Sequence, residues 1–178
     1  MSPFIVGRRP TAAHELFSPR PTFPSPPHHL GPFATRKVDS MPLVRIDLLE
    51  GRSVQFLTLL SQTIHTTMIS QLSVLERDYF QIITEHKPYQ LLFSRDYLDV
   101  NRSDKHIFIH IFLSAGRSGE IKETFFKALN QNLIRIDAEG EETIRGEDIS
   151  VVLTETKKED WSFGNGLSYL TIPKEQWK

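Results

Sequence analysis

One proline, one aspartate and one arginine are the residues of this 178-residue sequence that most suggest chemistry. Pro42 directly follows Met41, Asp78 begins an apolar segment, and Arg117 is the centre of a Gly-Arg-Ser triplet. A carboxyl group can transfer protons, and the planar fork of a guanidinium suits a carboxylate. Each residue also has an ordinary interpretation, because Met-Pro is a common linker, Asp78 could terminate a turn and Arg117 could be a solvated turn residue.

The signatures of several other chemistries are missing. The sequence has no Walker loop, no dinucleotide-binding G-x-G-x-x-G, no G-x-S-x-G elbow and no H-E-x-x-H motif. It has no cysteine, which excludes disulfide scaffolds, zinc-finger arrays and thiol nucleophiles. We predict neither a metal site nor a cofactor, because four histidines show no ligand spacing: His65, His86, His106 and His110.

Composition and charge limit the classes of partner. The formal net charge of -1 does not favour a general nucleic-acid or membrane-surface binder. No segment approaches the roughly 18 consecutive apolar residues of a membrane span. We therefore expect a protein of the cytoplasm without nucleic-acid or membrane partners, with import into an organelle through the basic first 40 residues as the alternative.

The first 40 residues differ in composition from the rest. They contain eight of the 11 prolines, and five basic against two acidic residues give them a charge of +3, whereas residues 41–178 carry -4. Prolines lack the N–H that helices and sheets use, and the few apolar residues here show no sustained period. We predict a disordered, proline-rich extension over residues 1–40 and one domain over residues 41–178.

The domain contains one sequence pattern twice. In each copy an apolar strand leads to a Gly-Arg-Ser triplet, and the two triplets are 65 residues apart. After each triplet the apolar period changes from two to about 3.6, which predicts a helix with the serine as its N-cap. The copies run Leu43–Leu49 to Gly51-Arg52-Ser53 and Ile107–Leu113 to Gly116-Arg117-Ser118.

The pattern predicts two β-α-β units. Further strands follow the helices at residues 78–83 and 149–154, and each crossover helix makes the two strands of its unit parallel. Two units side by side give a four-stranded sheet with both helices on one face. Because no third helix is left to cover the other face, we predict a homo-oligomer. A ferredoxin-like monomer is the alternative, since it shares the β-α-β count.

Taken together, these segments resemble the tautomerase superfamily. The matching segments are residues 42–53, Glu76-Arg77-Asp78, Gly116-Arg117-Ser118 and residues 160–166, in the same order. The most similar branch is the one that contains malonate semialdehyde decarboxylase, and the likeness extends over the 130 residues from Met41 to Leu170. The resemblance implies a homotrimer of duplicated β-α-β subunits.

The resemblance also implies roles for the three residues. The reactive group would be the amine of an N-terminal proline, here Pro42, exposed when the initiator methionine is removed. An unperturbed α-amino group has a pKa of about 7.7–8.0, and burial or a nearby cation lowers it, so such an amine can exchange protons at neutral pH. Asp78 matches an aspartate that assists the proline, and Arg117 matches an arginine that binds the substrate carboxylate.

Two aromatic residues and one departure concern the pocket. Trp161 and Phe163 match the aromatic part of the family's pocket wall, which would lower the dielectric around the amine and exclude water. The family's decarboxylase has a second arginine two residues before the position of Arg117. This sequence has Ala115 there, and the departure weighs against decarboxylation.

The resemblance leads us to expect a cofactor-free tautomerase. Its substrate would be a carboxylate-bearing keto or enol compound such as phenylpyruvate. Malonate semialdehyde decarboxylase or hydratase activity is the first alternative. The second is a non-catalytic oligomeric interaction protein whose extension binds aromatic grooves through segments such as Pro24-Ser25-Pro26-Pro27.

The choice among these functions depends on what precedes Pro42. While Met41 is attached, the nitrogen of Pro42 is an amide nitrogen without a basic lone pair. Initiation of translation at Met41, or cleavage of a leader before Pro42, would free the amine. We favour initiation at Met41, because the extension ends directly before it.

Overall fold

The structure, a computed structural model, describes residues 41–138 and 143–172. The predictions for residues 1–40 lie outside these residues. The described chain confirms the predicted order of two β-α-β units. Its elements are β1 (Leu43–Leu49), α1 (Val54–Leu72), β2 (Gln81–His86), β3 (Ile107–Ser114), α2 (Gly119–Leu133) and β4 (Ile149–Thr156).

The four strands form one sheet in the order β2-β1-β3-β4. The pairs β1–β2 and β3–β4 are parallel, and the two units meet through the antiparallel pair β1–β3. The two strands predicted to be central are therefore central. A ferredoxin-like fold splits its β-α-β unit, leaving a strand between the two parallel strands. Here β1 and β2 are hydrogen-bonded neighbours, so the ferredoxin-like alternative is wrong.

Both helices begin at the predicted serine caps. The Oγ of Ser53 accepts from the Phe56 N–H at 3.1 Å, and the Oγ of Ser118 accepts from the Ile121 N–H at 3.3 Å. Each bond satisfies an amide that the first turn leaves unpaired and contributes about 1 kcal/mol. The glycine of each triplet has a positive φ, 107° in the first and 126° in the second, where a side chain would cause strain.

The hydrophobic core lies between the helices and one face of the sheet. Val54, which the apolar stripe predicted to be buried, is 81% exposed, because it lies about 200° around the helix from Phe56. Ile121, in the first turn of α2, is 42% exposed. No helix of the described residues could span a membrane. The core residues are at most 2% exposed and include Phe56, Leu60, Ile64, Met68, Val44, Ile46, Leu48, Ile107, Ile109, Ile111, Leu113, Phe125, Leu129 and Leu133.

The opposite face of the sheet is open in the described part of the chain. One row of residues crosses all four strands on this face, in the order Ile82, Arg45, His110 and Val152. Ile82 and Val152 are 44% and 54% exposed, and Arg45 is exposed as well. Each strand therefore buries one face against the helices and leaves the other accessible.

Candidate active site

The strand register brings the candidate residues to one end of the sheet. β1 and β2 begin at this end, whereas β3 and β4 finish there, because β1 and β3 are antiparallel. Pro42 precedes β1, Asp78 precedes β2, Arg117 follows β3, and Trp161 and Phe163 follow β4. These five residues define what we call the proline end of the sheet.

Pro42 is buried directly before β1. The next residues are held by both neighbouring strands, since Leu43 pairs with β3 and the Val44 N–H donates to the carbonyl oxygen of Phe80 at 2.9 Å. Met41 is 4% exposed and has a φ of 32°. A left-handed conformation costs a residue with a side chain about 1–2 kcal/mol. In the chain as described, the Pro42 nitrogen is a peptide nitrogen.

Asp78 lies in the connection between α1 and β2. The sequence predicted a strand from this residue onward, but pairing with β1 begins only at Gln81, opposite Val44. The N–H of Asp78 instead donates to the carbonyl oxygen of Leu75 at 3.0 Å, which closes a turn. Asp78 is partly exposed, and β2 neighbours β1 in the sheet. Its carboxylate is therefore on the strand connection that leads in next to β1.

Arg117 is buried, with 7% of its surface exposed, so its interpretation as a solvated turn residue is wrong. Its Nε and Nη2 donate to the carbonyl oxygen of Leu72 at 3.2 and 2.9 Å, and Nη1 donates to that of Ser114 at 2.8 Å. Leu72 ends α1, where a cation favourably meets the helix dipole. Burial lowers the pKa of Arg117, and the Glu155 carboxylate opposes this effect. These contacts use three of the five N–H groups of the guanidinium.

Trp161 and Phe163 belong to an aromatic cluster. Their rings stack with centroids 5.5 Å apart, and Phe163 also meets the rings of Phe80 at 5.3 Å and Tyr169 at 6.3 Å. The Nε1–H of Trp161 donates to the Oγ1 of Thr156 at 2.6 Å, which ties the indole to the last residue of β4. Because Phe80 and Phe163 are 46% and 41% exposed, apolar ring surface is accessible at the proline end.

Two members of this cluster were not predicted from the sequence. Phe80 stood inside the predicted strand, although its position two residues after Asp78 is the alternation that puts side chains on one side of an extended segment. That alternation could have identified Phe80. Tyr169 follows β4 at no diagnostic spacing, and only the folded connection brings it to Phe163.

The proline end combines groups that can bind an organic acid and move a proton. Asp78 supplies a carboxylate, Arg117 a guanidinium, and the aromatic cluster an apolar surface, next to the chain position of Pro42. Within residues 41–138 and 143–172, no three histidine, cysteine, aspartate or glutamate side chains form a group that could hold a metal ion.

Comparison with known proteins leads to one family. Two family models, each described as a tautomerase enzyme, match residues 42–101 and 78–164. The probable tautomerase YusQ of Bacillus subtilis (strain 168) is 38% identical to this chain over 126 residues, which cover 71% of this chain and 95% of that protein.

Solved structures share the fold. A malonate semialdehyde decarboxylase inhibited by 3-bromopropiolate has a TM-score of 0.64 and 34% identity, over 74% of this chain and 99% of that chain. A fused 4-OT symmetric trimer has a TM-score of 0.56 at 21% identity, over 72% of this chain and 96% of that chain. The second comparison concerns the fold alone.

Proposed function

Since this chain belongs to the tautomerase superfamily of enzymes, we propose that it is a cofactor-free tautomerase with Pro42 as acid and base. The observation that carries the proposal is the strand register, which collects Pro42, Asp78 and Arg117 at the proline end. One family model begins its match at this proline. A protein that starts at Pro42 has a secondary amine there, and such an amine can accept a proton near neutral pH.

The proposed reaction moves one proton from oxygen to carbon. The amine of Pro42 receives the proton of the enol hydroxyl as the carbonyl bond forms, and it returns a proton to the adjacent carbon as the carbon–carbon double bond is lost. This isomerisation balances without an oxidant, a reductant or a second substrate. In it, Asp78 stabilises the protonated amine, and Arg117 binds the substrate carboxylate through N–H groups not used by Leu72 and Ser114.

The aromatic cluster supports a substrate that carries an apolar ring. Phe80 and Phe163 present nearly half of their surfaces at the proline end, and aromatic rings gain from stacking and from the removal of apolar surface from water. Phenylpyruvate has such a ring and also a carboxylate for Arg117. We therefore propose an arylpyruvate-like keto or enol acid as the substrate class.

The test is enol-to-keto conversion of phenylpyruvate by protein that begins at Pro42, followed through the loss of enol absorbance. We expect Pro42→Ala to lower kcat about 100-fold or more, which is the usual contribution of a positioned acid or base. Retention of Met41 should have a similar effect, because an amide nitrogen is not basic. Phe126→Ala, on the exposed side of α2, is the matched control. Wild-type rates in Pro42→Ala would exclude the proline as the base.

Decarboxylation of malonate semialdehyde is the second candidate function. It is favoured by the 34% identity to the solved decarboxylase. Carbon dioxide release from that substrate distinguishes the two reactions. Ala115 offers no second guanidinium beside Arg117, which is why we place tautomerisation first. The interaction-protein hypothesis concerns residues 1–40, and it stays a prediction, as does the cytoplasmic location.

We also propose that three subunits assemble through the open face of the sheet. Exposed apolar side chains support this face as an interface, since Ile82 and Val152 are each about half exposed and burial of such groups drives association. Sedimentation at micromolar concentration should give three times the subunit mass. Val152→Asp should shift the protein towards the monomer, and a stable wild-type monomer would contradict the proposal.

A further inference from the structure

We propose that His65 of α1 is a positioning residue for Asp78, an inference that rests on the proposed role of this carboxylate. Asp78 lies in a connection and outside the paired part of β2, so other contacts must hold it in place. Ser61 and His65 are one helical turn apart on α1 and share one side of the helix. Both are nearly buried, with 7% and 8% of their surfaces exposed.

His65 contacts the connection on both sides of Asp78. Its Nε2 is 2.8 Å from the carbonyl oxygen of Glu76, and its ring meets that of Tyr79 edge-on, with centroids 4.6 Å apart at 80°. Because a carbonyl oxygen only accepts, Nε2 carries a hydrogen and donates it. One side chain therefore fixes the residue two positions before Asp78 and the residue directly after it.

Ser61 ties the same connection to α1 at its other end. Its Oγ–H donates to the Oε1 of Gln81 at 2.8 Å, and the Nε2–H of Gln81 donates back to the Ser61 carbonyl oxygen at 3.1 Å. Since the single hydroxyl hydrogen of Ser61 is used, the Tyr79 hydroxyl that also bonds this Oγ is the donor. The main chain from residue 76 to residue 81 is thus fastened to the helix, with Asp78 in the middle.

The second β-α-β unit contains the equivalent contact at the opposite end of the sheet, where β3 and β4 begin. Asn130, 65 residues after His65, donates its Nδ2–H to the carbonyl oxygen of Gly146 at 2.9 Å. Gly146 lies two residues before an aspartate, Asp148, as the partner of His65 does in the first unit. The same helix position therefore fastens the chain before an aspartate in both units, which makes Asn130 a matched control.

The test compares His65→Leu with Asn130→Leu in protein that begins at Pro42. Each change removes a donor to one main-chain carbonyl, but only the first is next to the proposed site. We expect His65→Leu to lower kcat for phenylpyruvate about 10- to 100-fold, because displacement of a catalytic group by about 1 Å has effects of this size. KM should change little, since Arg117 and the aromatic cluster are not altered. His65→Gln, whose amide can donate to the same carbonyl, should restore most of kcat, and Asn130→Leu should retain it.

The carbon-13 chemical shift of the Asp78 carboxyl carbon provides a readout that does not need turnover. We expect the shift to change in His65→Leu and to stay at the wild-type value in Asn130→Leu. If wild-type protein is inactive while the carboxyl shift changes selectively, the positioning role stands and the proposed reaction fails. Wild-type kcat and carboxyl shift in His65→Leu, or equal losses in both leucine variants, would overturn the role of His65.

Discussion

The proline end and the opposite end of the sheet carry equivalent elements of the two β-α-β units. The triplet spacing and the strand register make Ile107 the counterpart of Pro42, as they make Asp148 the counterpart of Asp78. Ile107 lies in the middle of the chain, so its nitrogen is always a peptide nitrogen. Duplication therefore repeats the main chain of a site at both ends, but only the proline end can present an amine, once the chain starts at Pro42.

The two aspartates differ in how the chain surrounds them. Asp148 is 1% exposed, and it accepts from the N–H and the Oγ–H of Ser103 at 2.6 and 2.7 Å. Asp78 is partly exposed. A carboxylate whose oxygens are enclosed by donors stabilises the fold, whereas an exposed one can meet a substrate or a protonated amine.

The two triplet arginines also differ, although their turns are alike. In both turns a glutamate from the neighbouring parallel strand accepts from the glycine N–H, Glu85 at 3.1 Å and Glu155 at 3.4 Å. Arg52 lies over the ring of Phe56, 4.3 Å from its centroid, whereas Arg117 donates to the end of α1. The same triplet thus serves a local contact in one unit and a contact between elements in the other.

The largest expected effect comes from neutralising the two aspartates. In protein that begins at Pro42, Asp78→Asn should lower kcat for phenylpyruvate about 100-fold or more with little change in Tm, because the charge beside the amine is lost. Asp148→Asn should retain kcat and lower the free energy of unfolding by about 1–3 kcal/mol, because it weakens buried bonds to Ser103. Steady-state kinetics and urea denaturation separate these effects, and the same pattern in both variants would remove the distinction between the two ends.

The next effect concerns the two arginines. Arg117→Ala should raise KM for phenylpyruvate and also lower the free energy of unfolding by about 2–3 kcal/mol, since the carbonyls of Leu72 and Ser114 lose a charged donor. Arg52→Ala should leave KM unchanged, with a loss of about 0.5–1 kcal/mol from its contact with Phe56. Kinetics and denaturation on the same preparations test this contrast. An unchanged KM in Arg117→Ala would assign this arginine to the fold alone.

His106 at the opposite end is the basis of a pH prediction. Its ring is 1% exposed and lies 4.7 Å from the ring of Phe93 and 4.5 Å from that of Phe108. Neither ring nitrogen has a hydrogen-bond partner within the described part of the chain. Burial lowers the pKa of His106 below its ordinary value of 6.5, Arg102 lowers it further, and Asp148 opposes both.

The smallest expected effect follows from that lowered pKa. As the pH falls below 6.5, the unfolded chain takes up a proton at His106 before the folded chain does. This residue therefore makes the free energy of unfolding decrease as the pH falls from 6.5 towards the lower folded-state pKa. Urea denaturation from pH 8 to about pH 5 should give a flatter curve for His106→Leu than for wild type. Parallel curves would show that this imidazole does not contribute.

Much of the fold was predictable because its signals are local. The serine caps Ser53 and Ser118 act within one turn, and strand and helix periods need only a few neighbouring residues. The start of β2 was placed too early, because Asp78 forms a turn with Leu75 instead of pairing with β1. The exposure of Val54 was missed because the apolar stripe was extended into the first turn of α1.

The sequence by itself determined two β-α-β units and a likeness that singles out Pro42, Asp78 and Arg117, because periods, caps and motif order are written along the chain. Only the tertiary structure decided how these residues are held. Arg117 donates to a carbonyl 45 residues away, and Phe80 reaches Phe163 across the end of the sheet. Such contacts depend on strand register and on the packing of helices against the sheet, which no local pattern encodes.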